Sequence, residues 1–308
     1  MRDRMSDDLE VPEVPEVPEV FEPIGTSSVA TERQLARREN FKLVFRRPGF
    51  IVGALITLFW IVCAIGGDHI TPHDPLNFRA EKNLSPRAAY WFGTDQSARD
   101  VFSRVMAGAR DVLVVAPPAA LIGVFLGTVL GLITGFLGGW IDAGAGRIVE
   151  AFLALPVTLI ALLALTTLGK SRVVTITVVA VLFTPVVSRT IRAAVLAERD
   201  LDYVTAARLR GESSFFIMFR EILPNISAQI VVELTVRIGY AVFIVATLSF
   251  LGVGPPRPSP DWGAQVAENY GVLSAGIWWS TLFPALAIAS LVVAVNLMAD
   301  AVQSVWEG

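Results

Sequence analysis

The sequence predicts an all-α membrane protein of six transmembrane helices, and three observations carry that expectation. Its mean hydropathy is +0.59, with 54% apolar and only 17% charged residues, against roughly 25% charged in an average soluble domain. The apolar residues gather into long continuous stretches, near 49–67, 112–138, 147–168, 173–196, 226–252 and 277–302. Each approaches the roughly 20 residues that a helix needs to cross a hydrocarbon core, and none shows the alternation of a barrel strand. A dense run of cations stands directly before the first of them.

The chain opens on a Val-Pro-Glu repeat between Val11 and Val20. Recurrent proline removes backbone donors and blocks helix and sheet, so residues 1–32 are predicted to be a disordered, polyproline-II-like cytoplasmic tail. Arg33, Arg37, Arg38, Lys42, Arg46 and Arg47 then form a basic anchor over 33–48. Cations concentrate on cytoplasmic flanks, which sets the N-terminus inside. The late first apolar run and the acidic extreme N-terminus speak against a cleavable signal peptide.

Alternation from the first helix at 49–67 puts 68–111 and 253–276 outside, with 197–225 and the end at 303–308 inside. The first outer loop also holds Arg79, Lys82, Arg87, Arg99, Arg104 and Arg110, which runs against the cation rule. The N-terminal run outweighs them because the first helix usually dominates. Within that loop, Val101, Phe102, Val105, Met106 and Ala109 recur at helical spacing, with Arg99, Asp100, Ser103 and Arg110 elsewhere around the wheel. This describes a helix over 97–110 lying along the membrane surface, or one packed on neighbouring protein.

The core of the chain spans 112–302. Gly123, Gly127 and Gly131 form a small-residue stripe that lets helix backbones approach, or else lines a path for solute. Stretches four and five are interrupted by Arg189, Arg192, Glu233 and Arg237. Glu233 and Arg237, one turn apart with the acid first, are expected to neutralise each other. Arg189 and Arg192 are expected to snorkel from the helix end. Glu150 is expected to pair with Arg147 rather than to carry protons. The single Cys63 lies in the first apolar run and reads as a small core residue. A net charge of −3 says little about partners, since a membrane protein distributes its charge by side.

Little in the chain suggests covalent chemistry. Gly169-Lys170-Ser171 has the tail of a phosphate-binding loop, but Ala164 stands where the first glycine belongs and an apolar helix precedes it. His69 and His73 could share a metal only on a helix, which Pro72 and Pro75 oppose. No Ser/His/Asp or Cys/His set is available in the membrane region. An ATP-hydrolysing or hydrolytic role is therefore not expected.

The polar segment between stretches four and five is the most patterned part of the sequence. It reads Thr205-Ala206-Ala207, then Gly211, then Leu223-Pro224, and its punctuation suggests two short helices meeting at an angle. This resembles the Glu-Ala-Ala signature of permease subunits of binding-protein-dependent ABC importers, and more closely the C-type permease of the dipeptide/oligopeptide/nickel group. Thr205 replaces the usual Glu, and Glu221 stands where Ile is usual, with Ile222 next. Further stretches match in order: Phe92-Gly93-Thr94-Asp95, Arg99 to Arg104 and Gly108-Ala109-Arg110, with Ala98 for the usual Gly; Gly138 to Asp142; Leu248 to Gly252 with Pro255-Pro256 and Trp262-Gly263; and Asn296-Leu297 with Asp300, Ala299 replacing Gly. The match covers roughly residues 40–305; the Val-Pro-Glu tail lies outside it.

The resemblance implies the type I importer permease fold with both termini cytoplasmic. It implies a chain that forms half of a translocation pathway for short peptides, in the cytoplasmic membrane of a bacterium. A permease for nickel or another small solute is the alternative within the group, and a stand-alone secondary carrier lies outside it. Implied partners are a homologous B-type permease, two ABC ATPase subunits that bind the ATP and Mg, and an extracytoplasmic solute-binding protein, with no cofactor in this chain. The loop would couple to the ATPases through Tyr203, Thr205, Ala206, Ala207, Arg210, Gly211, Ser213, Phe216, Leu223 and Pro224. In physical terms, Ala206 and Ala207 offer a small face for close approach, and Gly211 permits a bend. Ser213 or Ser214 can cap the second helix, Phe215, Phe216 and Phe219 give it an apolar face, and Pro224 limits it.

Overall fold

The computed structural model describes residues 44–78 and 80–306. The expected tail at 1–32, the basic residues Arg33, Arg37, Arg38 and Lys42, and Arg79 lie outside the described residues. Among the described residues the regular elements are helical: α1 (Pro48–Ile70), α2 (Val101–Leu137), α3 (Gly139–Leu153), α4 (Val157–Leu168), α5 (Arg172–Glu198), α6 (Asp202–Leu209), α7 (Ser227–Phe250), α8 (Trp262–Asn269) and α9 (Trp279–Trp306). Helices α1, α2, α5, α7 and α9 are each long and apolar enough to cross a membrane, and α3 with α4 makes a bent sixth candidate.

The glycine stripe fixes how the two central helices meet. Gly123 faces Ala180, Gly127 faces Thr184 and Val187, Gly131 faces Ser188 and Ile191, and Gly135 faces Arg192 and Val195. A Cβ on Gly127 would stand 2.5 Å from that of Val187, and one on Gly131 2.8 Å from the Ser188 carbonyl oxygen. The stripe is therefore a helix-packing seam and not a path lining. Because both series ascend together, α2 and α5 run parallel. The chain between Leu137 and Arg172 must then travel back along the bundle, which makes the α3–α4 pair a full crossing. Gly49 and Gly53 of α1 lie against Leu297 and Ala294 of α9, so these two helices are antiparallel. The start of α1, the end of α9 and the segment after α5 thus share one end, here the elbow end; residues 71–100 and 251–278 occupy the other.

Two expected elements are corrected. Of the two readings of the helix at 97–110, packing on neighbouring protein is the one observed, and the helix is not separate: residues 101–110 are the first turns of α2, which runs on unbroken for 37 residues. Its polar groups turn inward. Arg104 is fully buried and donates to Asp95 at 2.6 Å, Glu268 at 3.1 Å and the Ser259 carbonyl at 2.9 Å. Arg99 bridges the same Asp95 and Glu268, at 2.9 and 2.5 Å. Asp100 caps the helix by accepting from the Ser103 amide at 3.1 Å. The wheel alone could not choose between a surface and a packed helix because Glu268, the partner that allows those charges to be buried, is distant in sequence.

The third stretch, 147–168, is not one helix. It begins earlier, at Gly139, and breaks between Leu153 and Val157 with a bend of 87°. Pro156 lacks the amide that would continue the ladder and pushes Leu155 out of the helical region.

The end opposite the elbow is tightly tied. Trp262 Nε1 donates to the Val105 carbonyl at 2.7 Å and its ring meets Trp60 edge-on at 4.7 Å. Trp279 Nε1 donates to the Thr94 carbonyl at 3.0 Å. His73 Nδ1 lies 3.3 Å from Asp100 and its ring stacks on Tyr90. Lys170 donates to the Gly252 carbonyl at 2.7 Å, and Ser171 caps α5 by accepting from Val174 at 3.2 Å. The resembling Gly-Lys-Ser tail therefore serves the turn between α4 and α5. Cys63 is buried against Met106, with 3.6 Å between the sulfurs.

Candidate functional site

The segment joining α5 to α7 folds as an elbow. Helix α6 is only eight residues long, too short to hold in water without tertiary support. Its support comes from one face: Val204 and Ala207 are completely buried with Ile217, Ile222 and Ile226 against Leu132, Val187, Ile191 and Val195 of the spanning helices. Side chains from α2 and α5 thus form the seat of the elbow.

The bend is a Schellman turn. The Gly211 amide donates to the Arg208 carbonyl at 3.0 Å and the Glu212 amide to that of Ala207 at 3.2 Å. Gly211 sits at φ +78°, a conformation that a side chain disfavours. Ser213 then accepts from the Phe216 amide at 3.2 Å and starts the second arm. That arm runs through Ser214–Phe216, a π-turn at Ile217–Ile222 and the turn Leu223–Asn225 into α7. Wider π winding commonly marks functional positions. Arg210 reaches across the bend to Glu221 at 3.4 Å and to Glu212 at 3.8 Å.

At its root the elbow is fastened to the spans. Arg199 Nη1 donates to the Gly135 carbonyl at 3.0 Å, and Arg208 lies over the Phe136 ring at 5.4 Å. Tyr203 donates its hydroxyl to Glu198 at 2.6 Å. Burial, reinforced by that bond, pushes its phenol up to about 12, so it remains a neutral donor throughout the working range of pH.

The expected site residues divide by face. Thr205, Ala206, Arg210, Gly211, Ser213, Phe216 and Pro224 are exposed. Tyr203 and Leu223 are half-buried. Ala207 is fully buried, which corrects the expectation that both alanines offer a face for close approach. It sits under the elbow because helical spacing places it three residues from Val204, on the core side. Two outward apolar groups complete the exposed ridge: Leu209, 84% exposed, and Phe215, 69% exposed and packed on Phe219 with 4.5 Å between ring centres. Leu209 escaped the sequence reading although its signal was present, as an apolar residue three and four positions beyond Ala206 and Thr205.

The charges within the spans sort similarly. Arg237 donates to Glu233 at 2.9 Å. Arg192 grips both oxygens of Asp142 at 2.5 and 2.6 Å and so ties α3 to α5. The expected pairing of Glu150 with Arg147 is not formed within 4 Å, and Arg189 is exposed on α5.

Comparison with known proteins places this architecture. Residues 127–307 match the family described as binding-protein-dependent transport system inner membrane component. The dipeptide transport system permease protein DppC of Bacillus subtilis is 35% identical over 82% of this chain and 79% of its own. The glutathione transport system permease protein GsiD of Escherichia coli O1:K1 is 38% identical over 83% of this chain and 85% of its own. That of Pectobacterium atrosepticum is 33% identical over 85% and 88%. An elbow seated on a bundle of apolar spans, in a chain that matches these permeases along most of its length, identifies a multi-pass inner membrane component of a bacterium: the chain belongs to the permease family of binding-protein-dependent ABC transport systems.

Proposed function

We propose that this chain forms half of the translocation pathway of an importer for short peptides, and that the elbow at 203–224 couples it to ATPase subunits. The exposed ridge carries this reading. Leu209, Phe215 and Phe216 present apolar surface on a bent segment braced by its own turn and ion pairs and seated on the spans. Exposed aromatic and aliphatic anchors on a pre-organised element are what a partner groove needs. Peptides are the favoured solute because similar chains are named for a dipeptide and for glutathione.

In this reading the elbow end is cytoplasmic. Two ATPase subunits bind ATP and Mg there, a homologous permease supplies the other half of the path, and a solute-binding protein approaches the opposite end. Closure of the ATPases pushes the elbow, and the seat of Val204, Ala207 and Ile222 on α2 and α5 transmits the push to the spans. Reversing a mostly inward-open population requires about 5.5 kcal/mol of differential binding, supplied by nucleotide and the loaded binding protein together. This chain performs no covalent step.

Reconstitution of the whole importer tests the coupling. Ala206→Trp fills the outer face of the elbow while leaving the buried Ala207 untouched. It should reach the membrane, bind the second permease and lose ATP-dependent uptake together with stimulated ATP hydrolysis. Undiminished uptake in that variant refutes the docking role, and uptake by the chain alone without ATPases refutes the importer reading itself.

A further inference from the structure

Charged groups inside the spans are mostly matched: Glu233 with Arg237, Asp142 with Arg192 and Asp111 with Arg172. Near the elbow end, Asp300 of α9 and three groups that share one cleft are not. Arg147 and Glu150 on α3 and Arg189 on α5 are exposed and have no ion partner within 4 Å among the described residues. At about 1.5 Å per residue, Arg189 lies roughly 14 Å inside the end of α5. Arg147 and Glu150 lie two to three turns along α3 from Gly139 and line the same cleft as Arg189. Ionisable groups this deep are costly against lipid and mark solute or ion pathways by default.

All three line one cleft of about 430 Å³ between α3 and α5, with Thr134 and Ser188 beside them and the Asp142–Arg192 pair included in its wall. No residue of α3 is buried. At Gly139, Gly144 and Gly146 nothing lies within 4 Å of where a Cβ would stand. Helix α3 therefore leaves the cleft open, tied to α5 by one bidentate pair.

The geometry points to a solute station in this cleft for small zwitterions whose carboxylates outnumber their ammonium groups by one. Arg147 and Arg189 take the carboxylates, in the forked pairing that guanidinium groups favour, and Glu150 takes the ammonium. Acidic dipeptides have this charge. The inference rests on the peptide-importer reading and adds a location and a charge preference to it.

The test uses the complete importer in proteoliposomes, with Cys63→Ser and Ala143→Cys, since Ala143 is exposed and lines the cleft. An anionic methanethiosulfonate should modify that cysteine about tenfold faster than a cationic one, after correction for their rates with a free thiol. Arg147→Gln and Arg189→Gln should each shrink the ratio and Glu150→Gln should raise it. The dipeptide Ala-Glu, but not Ala-Ala amide, should slow the modification. In uptake, Arg189→Gln should lower Ala-Glu relative to Ala-Ala by about tenfold, with Arg189→Lys recovering part. Equal reagent rates, or an unchanged ratio of the two peptides, overturn the proposal. So does loss of the second permease from the Gln variants without protection by Ala-Glu, which would assign these charges to subunit contact. If the unsubstituted importer takes up no peptide, the peptide reading falls, while the reagent ratio still reports whether the cleft is cationic.

Discussion

At Gly211 a side chain would meet nothing within 4 Å, yet the backbone is left-handed at φ +78°. Substitution there is opposed by backbone strain alone, about 1–2 kcal/mol for alanine and more for a β-branched residue. Gly211→Ala should fold and keep partial uptake, whereas Gly211→Val should lose uptake while still reaching the membrane. Paired immunoblot and transport assays check this; equal uptake in both would detach the turn from function. Asp261 offers a pH test outside the spans. Burial, with the Asp111 carboxylate adding to it, pushes its carboxyl from the usual 3.8 up to about 6. The folded state therefore favours the protonated form. That stability is fully present below pH 3.8 and is lost as pH rises through about 6, a change of about 3 kcal/mol. Asp261→Asn retains an oxygen to accept from the Ala264 amide but cannot ionise. Its melting temperature relative to the parent should rise by several degrees between pH 4 and pH 7, and a flat difference would contradict the raised value.

At the scale of elements, the ion cluster that joins α2 to α8 makes a strong demand. Removing one partner of a buried pair strands the others and costs about 3–5 kcal/mol. Arg104→Ala leaves Asp95 and Glu268 short of a cation and should sharply lower the melting temperature in detergent. Arg257 is 57% exposed and lies 3.6 Å from Glu268, so Arg257→Ala should change it little. Comparable losses in both would deny the buried cluster its structural role. This cluster also shows where sequence reading stops. The spans were legible because their apolar stretches are local and long, and the elbow because Gly211 and Ser213 punctuate it locally. The fusion of 101–110 into α2 was not, since it depends on Glu268 and Ser259, which no local pattern connects to Arg104. The break at Pro156 was signalled by one residue inside a uniformly apolar run, where hydropathy dominates. For the site, helical spacing could have sorted Ala207 inward and Leu209 outward, but the motif drew attention to the alanine pair instead.

For the whole molecule, the parallel course of α2 and α5 and the antiparallel course of α1 and α9 leave no freedom about which segments share an end. The coupling reading assigns the elbow end to the cytoplasm. Residues 71–100 then lie outside, where Lys82 is exposed, while Leu209 is exposed inside. The cations at that end oppose the usual bias, but Arg99 before α2 and Arg104 in its first turn are buried and matched by Asp95 and Glu268, so these two present little charge to either compartment. In a Cys63→Ser background, Lys82→Cys should react with a membrane-impermeant maleimide in intact spheroplasts, and Leu209→Cys only after permeabilisation. Addition of the ATPase subunits should then slow labelling at Leu209→Cys without affecting Lys82→Cys. The reverse pattern of access would place the elbow outside the cell, where no ATPase could reach it, and the lever would have no source of force.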